Sequence, residues 1–299
     1  MTLLDPERFT TATTNVRGFE QTFTHEGVGG IPLLLVHGWP ETRRIWWRCI
    51  QPLAAAGFEV IAPDLRGFGD SELGPDGFGD VPTHARDLEA LVHSLGHEQV
   101  VAVGGDLGGP IIQDLSLRFP DLVERMVLFN SPLPYLPEMS GLRTRPPLDV
   151  IDYFIRQGTD ADALAAELDT PDRRRRYIAG FYTSRLWAHP GAFDPDEVAF
   201  LTEPFGDGAA LRASFRAYES TFDDTARSEP STMTAPNPTP TLILFGPSDH
   251  VIYPDFDRMA EHVFPDRVGP FLLRDCGHFV QWEAAERLVG AITMFAGRA

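Results

Sequence analysis

Between Phe19 and Val280, short apolar runs alternate with stretches of helical period, the pattern of a mostly parallel sheet flanked by helices. The run PLLLV (residues 32–36) leads into His37-Gly38-Trp39-Pro40, and FEVIAPD (58–64) leads into the turn-rich Arg66-Gly67-Phe68-Gly69-Asp70-Ser71. Over residues 83–95, Ala85, Leu88, Leu91, Val92 and Leu95 recur at three- and four-residue steps. A helix is expected there, stopped by Gly96. VVAV (100–103) lacks polar alternation, which predicts a strand buried on both faces. It runs into Gly104-Gly105-Asp106-Leu107-Gly108-Gly109, then into a helix whose apolar side is Ile111, Ile112, Leu115 and Phe119. MVLF (126–129), TLILF (241–245) and PFLLR (270–274) predict three further strands.

The rhythm breaks between about residues 131 and 240. Prolines at 132, 134, 137, 146 and 147 open this span, and Pro236, Pro238 and Pro240 close it. Helices are expected inside it over residues 150–157, 162–168, 172–187 and 209–222. The expected organisation is an α/β core of residues 1–133 and 237–299 carrying a helical cap of residues 134–236.

Composition narrows the function. Apolar residues make up 43% of the chain and charged residues 23%, which suits a globular domain rather than a disordered one. The net charge is −18 and every basic residue is arginine, so neither a Schiff-base lysine nor a P-loop lysine exists. Such an acid excess repels phosphate, and no nucleic-acid partner is expected. The four arginines at 173–176 read as a solvated helix face. Cys49 and Cys276 lack the spacing of a disulfide framework or a zinc site. With no signal-like start and no run of eighteen apolar residues, a cytoplasmic protein without a membrane span is expected. A homodimer stays open.

The chemistry gathers around Asp106. Glycines two residues to either side allow a sharp turn that lifts its carboxylate out of the sheet and aims the Leu107 N–H at it. An N-capping aspartate in a glycine-rich loop would have the same composition, whereas the G-x-G-x-x-G offsets of a dinucleotide loop are missing. Asp249 follows the strand at 241–245, and His278 follows the last strand in Cys276-Gly277-His278-Phe279. Alone, either is an ordinary turn or hydrogen-bonded residue. Together, at strand ends and in the order nucleophile, acid, histidine, the three residues specify a hydrolytic triad. The strand after Asp106 ends in Asn130, which cannot carry the acid's charge. His250, His84, His93 and His97 are read as incidental, the last three flanking a helix or facing outward from it. No metal-ligand spacing is visible, and neither metal nor cofactor is expected.

These motifs resemble the α/β-hydrolase superfamily over nearly the whole chain, and most closely its epoxide hydrolases. The resemblance rests on His37-Gly38-Trp39-Pro40, the 64–71 stretch, the aspartate elbow, Asp249 and His278. It implies an α/β-hydrolase fold in which the N–H groups of Trp39 and Leu107 form an oxyanion hole. It also implies two cap tyrosines that hydrogen-bond an epoxide oxygen. Tyr153 fits the first. Tyr218, three residues past Phe215-Arg216, is taken as the second, with Tyr177 and Tyr182 left open. The implied activity turns a small hydrophobic epoxide and water into a vicinal diol through an ester on Asp106. Phe154, Phe181, Trp187 and Phe222 are expected to line the cleft. A dehalogenase on the same fold is the rival, with Trp187 as a halide donor, although Leu107 stands where haloalkane dehalogenases usually carry tryptophan. A non-catalytic ligand-binding protein is the third reading.

Overall fold

The computed structural model describes residues 4–144 and 152–297. Eight strands form one sheet: β1 (Thr11–Val16), β2 (Phe19–Glu26), β3 (Ile31–Val36), β4 (Phe58–Pro63), β5 (Val100–Gly105), β6 (Val123–Phe129), β7 (Thr241–Phe245) and β8 (Arg267–Leu272). Their spatial order is β1-β2-β4-β3-β5-β6-β7-β8. β1 and β2 pair antiparallel, as do β2 and β4, and all other pairs are parallel.

Helices α1 (Trp47–Ala55), α2 (Val81–Ser94) and α3 (Gly108–Arg118) connect β3 to β4, β4 to β5 and β5 to β6. Between β6 and β7 come α4 (Asp152–Thr159), α5 (Ala161–Glu167), α6 (Pro171–Tyr182), α7 (Pro195–Thr202), α8 (Gly208–Ser214) and α9 (Arg216–Phe222). Helix α10 (Phe256–Val263) lies between β7 and β8, and α11 (Val280–Glu283) and α12 (Ala285–Ala296) follow β8. Among the described residues no helix is long and apolar enough to cross a membrane.

The apolar runs make the central strands for a simple reason. Every residue of β4, β5 and β7 is buried, and each fully buried Leu, Val or Ile contributes about 1.5–3 kcal/mol. Four departures from the sequence pattern are instructive. The threonine-rich β1 alternates exposed and half-buried positions at the sheet edge, with only Val16 buried, and carries little apolar signal. The helix expected over 172–187 stops at Tyr182, and a turn with Ala188 N–H on Ser184 O folds Trp187 back onto His278, ring centroids 4.6 Å apart. The helix expected over 209–222 is two, meeting at the fully buried Phe215. The expected strand at 270–274 begins earlier, at Arg267, and lies at the other sheet edge with Phe271 and Leu272 exposed.

The turn-rich 64–71 stretch is a scaffold for the loop after β3. The buried Asp64 carboxylate accepts the Arg43 N–H at 2.8 Å and the Asp70 N–H at 3.0 Å, and it pairs with the Arg43 guanidinium. His37 Nε2 accepts the Leu65 N–H at 3.0 Å, while Nδ1 donates to Gly38 O at 2.8 Å. That pattern requires the neutral ring, and burial lowers the His37 pKa accordingly.

Candidate active site

β5 delivers the chain into a turn at Asp106 and α3 takes it away at Gly108. Asp106 has φ +45°, a left-handed conformation that non-glycine residues seldom adopt and that marks a functional turn. Its backbone is tied down by the Asp106 N–H on Asn130 O at 2.9 Å and by Ser131 Oγ donating to Asp106 O at 3.2 Å. Gly38 explains why the neighbouring loop can approach so closely. A Cβ there would lie 2.5 Å from Asp106 Cβ and 2.8 Å from Oδ1.

The carboxylate has two distinct oxygens. Oδ1 accepts the Trp39 N–H at 2.7 Å. Oδ2 lies 3.3 Å from His278 Nε2, close enough for strong Coulomb attraction but without hydrogen-bond alignment. His278 Nδ1 sits 2.8 Å from Asp249 Oδ2. Asp249 Oδ1 accepts the Val251 and Ile252 N–H groups at 2.7 and 3.1 Å, and Oδ2 accepts Asn130 Nδ2 at 2.8 Å. Burial pulls the His278 pKa down, but the charges of Asp249 and Asp106 overcome it and hold it well above the ordinary imidazole value. Two flanking carboxylates therefore favour the protonated form of His278. Leu107 lines the same pocket. Among the described residues its N–H makes no hydrogen bond to the Asp106 carboxylate; an oxyanion donor has to meet the position of the developing charge.

A cavity of about 590 Å³ opens above Asp106. Leu107, Leu133, Phe154, Val251 and Ile252 give it apolar walls, and both Tyr153 and Tyr218 line it. Tyr153 stacks on Trp39 with centroids 5.6 Å apart and 5° between planes. Tyr218 meets the same indole edge-on, and the two tyrosine rings are 6.1 Å apart. Tyr177 and Tyr182 are engaged elsewhere: Tyr177 OH accepts from Gln157 Nε2, and Tyr182 OH donates to Pro40 O. Of the aromatics expected in the cleft, Phe154 is there. Phe181 and Trp187 instead pack around Trp39, and Phe222 is 41% exposed. His84 also differs from expectation. It is buried against Phe68, and burial helped by Arg66 pushes its pKa down to about 3.

The family model for the alpha/beta hydrolase fold matches residues 31–285. The chain belongs to the α/β-hydrolase family. It is 30% identical over 288 residues to the soluble epoxide hydrolase of Corynebacterium sp. strain C12, covering 94% of each chain. Identity is also 30% over 278 residues to haloalkane dehalogenase 2 of Mycobacterium tuberculosis, covering 90% of this chain and 89% of that one. The solved structure of the epoxide hydrolase CorEH without ligand superposes with a TM-score of 0.82 at 26% identity, covering 96% of this chain and 98% of the other.

Some site residues of this α/β hydrolase escaped sequence reasoning. Glu41, directly after His37-Gly38-Trp39-Pro40, is buried, and its carboxylate accepts the Gly38 N–H at 2.6 Å and Gln281 Nε2 at 2.7 Å. A charged residue adjoining the loop was the available signal; its partner 240 positions away was not visible. Burial pushes the Glu41 pKa up from 4.5 to about 7, against the pull of the Gly38 N–H, with Asp106 adding to the rise. A raised carboxyl pKa means the folded state holds the proton more tightly than the unfolded chain. The resulting stabilisation, about 3 kcal/mol, is complete below pH 4.5 and is lost as pH rises to about 7. Glu41→Gln should remove that loss, because Gln281 Oε1 lacks a partner among the described residues and can accept from the new amide after a flip. Thermal unfolding from pH 4.5 to 7.5 should show the native chain declining relative to the variant. Parallel curves would refute the assignment.

Proposed function

We propose that this α/β hydrolase opens an epoxide to a vicinal diol through an alkyl ester on Asp106. The observation that carries the reading is one pocket lined by the Asp106 carboxylate and by Tyr153 and Tyr218, with His278 directly behind the carboxylate. Oδ2 attacks an epoxide carbon, the ring C–O bond breaks, and a tyrosine hydroxyl protonates the departing oxygen. Oδ1, already on the Trp39 N–H, becomes the ester carbonyl.

Esterification removes the charge of Asp106. His278 then loses one of the two carboxylates that raise its pKa, and its proton leaves through solvent to restore the tyrosine. The neutral imidazole takes a proton from water as the oxygen adds to the Asp106 carbonyl carbon. Trp39 and Leu107 N–H groups stabilise the oxyanion, and collapse releases the diol, whose oxygen receives the proton from His278. The histidine thus becomes a base only after the nucleophile has reacted. The cavity's apolar walls favour a hydrophobic epoxide.

General acid catalysis is worth about 10²–10⁴-fold. Tyr153→Phe and Tyr218→Phe should each slow single-turnover ring opening by about 10–10²-fold, the double variant more, with little change in unfolding temperature. If one substitution alone matters, the other tyrosine is only a wall. Product analysis tests the reading as a whole. Diol from styrene oxide without halide release from 1-bromobutane is expected. Halide release with no diol from any epoxide would favour a dehalogenase, in which Trp187, packed against His278 and Tyr153, would have to serve as the halide donor.

A further inference from the structure

The backbone N–H on Asp106 Oδ1 belongs to a loop held at two points by the helices between β6 and β7. Trp39 Nε1–H donates to Ser214 Oγ at 3.1 Å, at the end of α8. The Ser214 hydroxyl donates in turn to Leu211 O at 2.7 Å, which fixes the lone pair it offers to the indole. One residue further on, Pro40 O accepts from Tyr182 OH at 2.6 Å, at the end of α6. The Tyr182 ring stacks on Phe279, neighbour of His278, at 4.6 Å and 25°. Trp39, Ser214, Tyr182 and Phe279 are all buried, so water cannot replace these bonds.

We propose that Ser214 and Tyr182 are positioning residues that aim the Trp39 N–H, and that they govern breakdown of the Asp106 ester far more than its formation. This rests on the ester reading above. The asymmetry follows from where charge sits in each step. During ring opening, negative charge leaves Asp106, so the Trp39 N–H holds the reactant at least as well as the transition state. During hydrolysis, charge builds on Oδ1, and a donor correctly aimed beforehand costs no reorganisation. A loosened loop therefore leaves the first half-reaction intact and slows the second.

Rapid-quench single turnovers with styrene oxide, followed by intact mass, separate the two half-reactions in Tyr182→Phe and Ser214→Ala. Deleting an oxyanion donor outright typically costs about 10²–10³-fold. Loss of aim should cost less, about 10-fold in ester hydrolysis for each variant, with ring opening unchanged within about 2-fold. The ester-bound fraction at steady state should rise, and kcat and KM should fall together. An equal loss in both half-reactions, or no change in either, overturns the proposal. Should Ser214→Ala fail to fold, Tyr182→Phe, which removes a single oxygen, decides the matter. His278→Gln run in parallel keeps the two claims apart. If it accumulates no ester, the ester reading itself fails; if it accumulates ester while Tyr182→Phe leaves the partition unchanged, only the positioning role fails.

Discussion

Replacing Asp106 with alanine is expected to abolish diol formation, a loss of about 10⁴-fold or more, as for other covalent nucleophiles. The fold should survive, because the turn is held by its backbone bonds to Asn130 and Ser131 rather than by the carboxylate. One thermodynamic consequence is specific. The raised pKa of His278 stabilises the fold fully below the imidazole's ordinary value of 6.5, and that stabilisation is lost as pH rises through the higher folded value. Removing Asp106 removes one of the two carboxylates that raise it. The variant should therefore gain less stability on acidification across this window, as thermal unfolding will show. Retained turnover in Asp106→Ala would remove the nucleophile from the account.

His278→Gln carries the second large effect. Ring opening needs no base, so it should proceed and stop, leaving the chain heavier by the mass of one epoxide. The attached mass should map to the peptide carrying Asp106, with hydrolysis slowed by about 10³–10⁴-fold. Burst stoichiometry should approach one diol equivalent per chain after chemical release. A variant that stays unlabelled while ring opening continues would contradict an ester on Asp106 that His278 helps to hydrolyse.

Local signals made the central site legible. Asp106 is announced by its glycines, whose offsets follow from how closely backbone must pass backbone in the turn. Asp249 and His278 are announced by apolar strands that end just before them, and Tyr153 by the resemblance of its helix. Tyr218 was reached by helical spacing, and the structure brings it to the same pocket as Tyr153. What escaped was what depends on distant partners. Glu41 meets Gln281, Trp39 meets Ser214, and Tyr182 meets Pro40, each across more than a hundred residues. Nothing local marks such pairs. Asn130 was recognised only as unable to act as the acid, whereas its amide holds Asp249 Oδ2, the oxygen that faces His278. His84 sits on α2 between Thr83 and Ala85, and only its packing against Phe68 and its burial show that it is enclosed.

The rest of the mechanism stands on a covalent bond to Asp106, and oxygen tracing tests that bond most directly. With enzyme in excess over styrene oxide in ¹⁸O-water, the first turnover should give diol free of label, since its new oxygen comes from the carboxylate. The Asp106 peptide should then carry the heavy oxygen. Label found in the diol, with an unlabelled Asp106 peptide, would mean that water attacks the epoxide directly and would contradict the account.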